Sequence, residues 1–351
     1  MEKIDQSISE EYGQILGRDF ILSSMTEGVL VINNDHKLIM INNSAITYLD
    51  LELNHPIGKS TDDIIKDPDY LSFLKKLYKK HEPIIDEIRI KKNIDRYFLV
   101  NGTILQGKNS GFLIVMSDIT KLKQLEKVRQ EFVANVSHEL KTPITSIVGF
   151  LETLKQKNIP TEKQKSFLKK ALKHSNRLNA IIDDLLWLSL IESLEEDENF
   201  DLFPQQLLQI IEGARDDVQN LSEKNKNTIE IFCEPSIQIN ADAQLLREAF
   251  INLFENAIKY GSQSKPIKVM VEIDNKLYIH IKNHGDPIPG KYKETIFHRF
   301  SRVDKSRSRK KGGTGLGLAI VKHIIFVHDG EITVESSAEL GTIFSISLPI
   351  I

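Results

Sequence analysis

Residues 122–191 carry the pattern that leaves the fewest folding options: two long apolar stripes of helical period joined by a short loop. Leu122, Leu125, Val128, Phe132, Val136, Leu140, Ile144, Ile147, Leu151 and Leu154 recur in steps of three and four, which is one face of a helix. After a loop at Gln156–Pro160 a second stripe follows: Phe167, Leu168, Ala171, Leu172, Leu178, Ile181, Leu185, Leu188 and Ile191. Thr161 with Gln164 reads as a capping box that opens the second helix. Two helices cannot bury both stripes alone, so the hairpin is expected to pair with a second copy into a four-helix bundle. Trp187 is expected at the end of that bundle.

Within the first helix, His138 stands two residues from both Val136 and Leu140, about 200° around the axis at ~100° per residue, and so points away from the stripe. Glu139 is its neighbour. Pro143 cannot donate to the carbonyl of Glu139 and crowds that turn, so a bend is expected there. An exposed histidine beside an acid at a bend is a reactive group placed where another body can dock.

The flanking regions differ in composition. Residues 14–118 mix β-like runs (Gly28–Asn33, Lys37–Ile41, Asp86–Lys91, Tyr97–Gly102 and Gly111–Ser117) with short helical stretches, which predicts a small antiparallel sheet with helices on one side. Residues 119–192 hold the hairpin, and the acids of 193–199 read as a hinge. Residues 200–351 alternate helices and strands and contain the glycine-rich features. Residues 1–13 form an N-terminal segment.

Net charge is −3 with pI near 6.4, which gives no global reason to expect a nucleic-acid partner. The single cysteine, Cys233, excludes an intrachain disulfide, and its setting reads as a strand with a buried thiol. No apolar run reaches ~18 residues, so this chain carries no expected membrane segment. It reads as cytoplasmic, with the soluble portion of a membrane-anchored protein as the alternative.

Three constellations carry chemistry. Asp242–Tyr260 is predicted as a helix with Asn252 and Asn256 four apart and Lys259 three further on. Amide oxygens suit Mg²⁺ and an ammonium suits phosphate; a polar helix surface explains the same spacing. Residues 281–289, Ile-Lys-Asn-His-Gly-Asp-Pro-Ile-Pro, form a turn after a strand. Residues 310–320 set glycines 312, 313, 315 and 317 against the start of a helix at Leu318–Phe326, which favours anion binding over a plain hinge. The basic run from Lys305 between the last two constellations reads as a mobile lid over a phosphate chain.

In order, His-Glu-Leu-Lys-Thr-Pro, Asn-x-x-x-Asn-Ala-Ile-Lys-Tyr, Asn-x-Gly-x-x-Ile-Pro, Phe-x-x-Phe and Gly-Gly-Thr-Gly-Leu-Gly-Leu resemble the motifs of a two-component sensor histidine kinase over about 121–351. Residues 14–118, ending in Ser117-Asp-Ile-Thr, are similar to a PAS sensor domain. The resemblance implies a multidomain α+β fold: a PAS-like antiparallel sheet with helices, a hairpin forming a dimeric four-helix bundle, and a Bergerat-type α/β sandwich at 200–351. It implies ATP and Mg²⁺ as cofactors, a homodimer, and a response regulator as partner.

Residue by residue, the resemblance makes His138 the phosphoacceptor and Glu139 the base on its other ring nitrogen. Thr142 matches the position that assists dephosphorylation of the partner. Asn256 would ligate Mg²⁺ with Asn252 alongside, Lys259 would meet the phosphates, and Tyr260 would lie near the adenine. Arg302 would reach the γ-phosphate on lid closure. Asn283, Gly285 and Ile288 would form the adenine end, and Gly313, Thr314, Gly315, Leu316, Gly317 and Leu318 the phosphate loop.

One departure stands out: the adenine-reading aspartate of the family is Asn283 here, and the second glycine of that motif is Pro287. Asparagine can accept and donate at the adenine edge but loses the charge-assisted bond, so weaker ATP binding is expected. Two alternatives remain open on sequence: a Bergerat-fold ATPase, and a phosphatase-biased regulatory scaffold. The PAS-like region could bind a ligand or serve as a dimerisation module. Its histidines, His36, His55 and His81, sit in turn-like or polar contexts that favour surface roles.

Overall fold

The computed structural model describes residues 20–51, 56–91, 95–107, 110–156, 159–195, 200–263, 265–303 and 313–350. The N-terminal segment 1–13, His55, positions 196–199 of the hinge, and residues 304–312 of the basic lid and its glycine lie outside them. The chain forms two compact units, residues 1–131 and 132–351.

The first unit is built on five strands, β1 (Gly28–Asn33), β2 (Leu38–Ile41), β3 (Ile84–Ile90), β4 (Arg96–Leu105) and β5 (Gly111–Asp118), ordered β2-β1-β5-β4-β3. Every pairing is antiparallel. Helices α1 (Asn43–Leu49), α2 (Thr61–Ile64) and α3 (Pro68–Lys80) accompany it. Alternation decides the inward set: Phe98 and Val100 of β4 with Ile114 and Met116 of β5 pack against Tyr70, Phe73, Leu74 and Leu77 of α3. Asn42 is buried because its side-chain oxygen caps α1 at Ala45 N (3.0 Å) and also accepts from Val29 N (2.8 Å). The five strands predicted from alternation are all present, each within a few residues of its expected bounds.

Helices α4 (Thr120–Leu154) and α5 (Thr161–Glu195) form the hairpin. The first runs through Pro143 without a break. Pro160, not Thr161, precedes the second helix: its carbonyl accepts from Lys163 N (2.9 Å) and Gln164 N (3.1 Å). The Gln164 side chain turns to the Ile159 carbonyl at 2.9 Å, so the expected capping box is not formed. The helix also continues through Ser193–Glu195, three residues assigned to the hinge from sequence. The predicted stripes are only half covered, with Ile144, Leu151, Leu168 and Leu172 exposed. Leu188 and Ile191, by contrast, are fully buried in a core shared with the α/β part that follows.

That α/β part contains strands β6 (Phe203–Gln206), β7 (Ile229–Phe232), β8 (Gln238–Ala241), β9 (Ile267–Ile273), β10 (Leu277–Asn283), β11 (Glu331–Ser337) and β12 (Gly341–Leu348). The main sheet is ordered β11-β12-β10-β9-β7, with β7 and β9 parallel, and β6 pairs with β8 in a separate ribbon. Helices α6 (Leu207–Asp217), α7 (Gln219–Asn225), α8 (Ala243–Tyr260) and α9 (Gly317–Val327) complete it. Cys233 follows β7 and is half-buried against this core rather than enclosed in a strand.

Helix α8 positions the site. Asp242 starts it by accepting from Gln244 N and Leu245 N, both at 2.9 Å. Leu246, Phe250, Leu253 and Phe254 are completely buried, each such side chain contributing about 1.5–3 kcal/mol by leaving water. One edge of the helix is therefore fixed in the core, and the 3.6-residue period turns Glu248, Asn252, Glu255, Asn256 and Lys259 to another face.

Candidate functional site

That face lines a cavity of ≈ 480 Å³ between α8, the end of β10, the loop before α9 and helix α5. Of the residues singled out from sequence, Asn252, Asn256, Lys259, Tyr260, Asn283, Ile288, Arg302, Gly313, Thr314, Gly315, Gly317 and Leu318 all line it. Strand alternation explains Asn283. It shares the inward face of β10 with Leu277, Ile279 and Ile281, is 4% exposed, and meets the cavity where the strand ends. Thr342, its register partner on β12, lines the cavity beside it.

Gly285 and Leu316 do not line the cavity. Gly285 instead lets the loop approach the end of α8: a side chain there would run into the Tyr260 carbonyl oxygen. Leu316 is fully buried in the core, and its N–H donates to Thr314 Oγ1 at 3.2 Å. Gly317 is needed for a different closeness, because a Cβ would strike Asn252 Oδ1. The Asn252 amide is held in turn by Glu248, donating to its backbone oxygen and Oε1 at 3.0 Å each. Asn256 lines the cavity and makes no side-chain hydrogen bond among the described residues, so its amide is available to a ligand there.

His138 is exposed on α4, and neither it, Glu139 nor Thr142 lines the cavity. Thr142 Oγ1 donates to the His138 backbone oxygen at 3.0 Å. Glu139 is held by two arginines. Arg302 reaches it from the cavity wall with Nη1 and Nη2 at 3.2 Å each, and Arg177 of α5 donates at 2.9 Å. Side-chain exposures of 14%, 5% and 13% for Glu139, Arg302 and Arg177 mean that this ion cluster is largely dry. Arg302 also donates to the carbonyl oxygens of Gly313 and Thr314, so one guanidinium ties the glycine loop to the carboxylate next to His138. The Phe-x-x-Phe segment anchors this region: Phe297 is buried, Phe300 packs on Phe132 of α4 at 6.0 Å, and Arg299 stacks over the Phe132 ring.

Helix α5 contributes residues that periodicity did not single out. Asp183, Asp184 and Trp187 line the cavity, Trp187 there rather than at the end of a bundle. Burial raises the Asp184 carboxyl to about 6, against the lowering effects of a hydrogen bond from the Thr314 hydroxyl and the charge of Lys259. Glu255 and Asp183 add to the rise. Glu248 is likewise raised, chiefly by burial and then by Asp184. Among the described residues the two cations of the cavity already hold acids, Lys259 pairing with Glu255 at 2.5 Å and Arg302 with Glu139.

Three family models match the chain. A PAS domain covers residues 26–121, a His Kinase A (phospho-acceptor) domain covers 128–194, and a histidine kinase-, DNA gyrase B- and HSP90-like ATPase covers 241–351. The sensor protein kinase WalK of Staphylococcus aureus is 31% identical over 94% of this chain and 80% of its own length. The phosphate regulon sensor protein PhoR of Pseudomonas aeruginosa is 30% identical over 92% of this chain and 72% of its own. Sensor histidine kinase WalK of Bacillus subtilis is 29% identical over 94% of this chain, which spans 54% of that relative, and several further relatives are likewise about half covered. Among solved structures, histidine kinase ThkA in complex with response regulator protein TrrA shares the fold. Its TM-score is 0.51 and its identity 23%, with 95% of this chain and 98% of that chain covered.

Proposed function

We propose that this chain, which belongs to the sensor histidine kinases of two-component systems, phosphorylates His138 from Mg·ATP and passes the phosphoryl group to an aspartate of a response regulator. The observation that carries this reading is Arg302. One side chain lines the cavity and holds the carboxylate adjoining an exposed histidine, so nucleotide and acceptor chemistry meet through a single residue.

The lone pair of His138 Nε2 forms the new N–P bond while the bond from the γ-phosphorus to the β-phosphate oxygen breaks, leaving ADP. Glu139 accepts a hydrogen bond from Nδ1–H, which fixes the tautomer and stabilises the imidazolium as charge develops. Lys259 and Arg302 neutralise the transferring group, and positioning and electrostatics supply most of the acceleration. Mg²⁺, when bound, adds charge neutralisation on the phosphate chain, with Asn256 as its protein ligand and Asn252 beside it. Tyr260, Asn283 and Ile288 hold the base, and the loop from Gly313 to Leu318 holds the phosphates.

Arg302 cannot hold Glu139 and meet a γ-phosphate with the same nitrogens, so the described arrangement is a resting one. Transfer requires that pair to part. The exposed apolar residues of α4 and α5 are covered by a second copy in a homodimer, and the signal reaches His138 along α4. Thr142 supports dephosphorylation of the regulator. The reading is tested by incubating the chain with Mg·ATP and sequencing its peptides by mass spectrometry at alkaline pH. A phosphoryl group on His138 supports it; phosphate release with an unmodified chain contradicts it and favours a Bergerat-fold ATPase.

A further inference from the structure

The nucleotide cavity has one wall that does not belong to the α/β part. Helix α5 supplies Ala180, Asp183, Asp184 and Trp187 to it. These four residues follow the helical period, so the face is presented to the cavity as a unit and Asp184 is carried into it by the docking of α5. The helix is held there by buried contacts, since Leu188 and Ile191, one and two turns further on, lie in the shared core. The ion pair Arg299–Glu192 and the hydrogen bond between His323 and Glu195 add to that attachment.

Within the cavity Asp184 shares the lining with Thr314, in the middle of the glycine loop, and with Lys259, and both act on its carboxyl. A hydroxyl on a glycine loop and an ammonium are the groups that a polyphosphate needs. Here they face a carboxylate of the same chain. Lys259 is further neutralised by Glu255, and Arg302 by Glu139. Asp183, Asp184, Glu248, Glu255 and Asp286 line the cavity, and among the described residues these five acids face two cations, Lys259 and Arg302, each already paired with an acid.

We propose that Asp184 occupies the phosphate end of the nucleotide cavity as an internal anion, so that a nucleotide binds only by displacing it and with it the docked face of α5. The proposal rests on reading the cavity as the nucleotide site. It makes Asp184 a determinant of nucleotide affinity, not a catalytic residue. It also links binding to the release of α5, the helix that packs beside the one bearing His138.

The measurement is equilibrium binding of a fluorescent ATP analogue to the full chain, with and without Mg²⁺, for the wild type, Asp184→Asn and Asp183→Asn. Loss of the internal competitor in Asp184→Asn is expected to tighten binding by about five- to tenfold under both conditions, the effect of removing one like charge close to the phosphates. Asp183→Asn removes an exposed charge from the same wall and is expected to change affinity by less than about twofold, as an exposed pair does. Equal tightening in the two variants would overturn the proposal, because a general field would then explain it. Weaker binding of Asp184→Asn in Mg²⁺ alone would also overturn it, by making Asp184 a metal ligand. Wild-type binding that Asp184→Asn leaves unchanged overturns the proposal but not the nucleotide site; no binding by any of the three proteins overturns both.

Discussion

Glu139 and Arg302 lie 163 residues apart in sequence and share two hydrogen bonds of 3.2 Å, the carboxylate next to the acceptor histidine gripped by the guanidinium of the cavity wall. Each is assigned a role in phosphoryl transfer that it cannot perform while holding the other. The pair is therefore both part of the machinery and the contact that keeps it apart.

Replacing Glu139 by Gln tests both sides of that statement. The amide leaves Arg302 and Arg177 nearly buried without their counter-charge, which is expected to lower unfolding stability by about 3 kcal/mol. It also removes the partner of Nδ1–H, with a loss of about 100-fold or more in autophosphorylation. Denaturant unfolding and a single-turnover phosphorylation assay measure the two effects separately.

Arg177 touches Glu139 from α5 and does not line the cavity. Its replacement by Ala is expected to leave nucleotide affinity within about twofold, as for a substitution away from a binding site. Competition for Glu139 weakens at the same time, so basal autophosphorylation is expected to rise. A fall in rate with unchanged nucleotide binding would show that Arg177 positions Glu139 for catalysis instead.

Asn283→Asp restores a charge at the adenine end. A charge-assisted hydrogen bond is roughly twice as strong as a neutral one, so the nucleotide dissociation constant is expected to fall several-fold. The free protein is expected to lose stability at neutral pH, because position 283 is buried and a carboxylate there is desolvated. Titration calorimetry and thermal unfolding read the two changes; unchanged or weaker binding would refute the role assigned to Asn283.

Much of this site can be read in the sequence because it follows local rules. Asp242 caps α8, and the 3.6-residue period then separates its apolar core face from Asn252, Asn256 and Lys259. Alternation along β10 puts Asn283 on the inward face, and the glycine run precedes a helix start. Arg177, Asp183 and Asp184 escape such a reading. Polar residues beside a helical stripe are assigned to solvent by periodicity; Arg177 leaves it by meeting Glu139 of α4, and Asp183 and Asp184 become a cavity wall only by docking against elements more than 60 residues further along the chain. The same docking moves Trp187 to the cavity and buries Leu188 and Ile191 against the α/β core. The Thr161–Gln164 box failed for a different reason: Pro160 has no N–H to satisfy, and its carbonyl begins the helix one residue earlier.

His328 gives a pH dependence independent of phosphorylation. It is buried, its Nε2 accepts from Asp242 N at 3.0 Å, and its Nδ1 bonds to the Ile324 carbonyl at 2.7 Å, so the neutral ring is the one that fits. Burial lowers its pKa from the ordinary 6.5. The unfolded chain then takes up a proton near pH 6.5 before the folded one does. The stability this histidine contributes is full above that pH and is lost as pH falls through 6.5 towards the lowered folded value. Thermal unfolding between pH 7.5 and 5 is expected to show this slope, and His328→Gln, less stable throughout, is expected to flatten it.

The central claim, that the cavity supplies a phosphoryl group to His138, is tested most directly by following γ-labelled ATP into protein and into free phosphate in one sample, for the wild type and His138→Ala. His138 is exposed, so its loss leaves the fold and the cavity intact. The account predicts acid-labile covalent label on the wild type and none on His138→Ala, with nucleotide binding preserved in both. Label persisting in the variant, or free phosphate released at equal rates by both proteins without any covalent label, would contradict it.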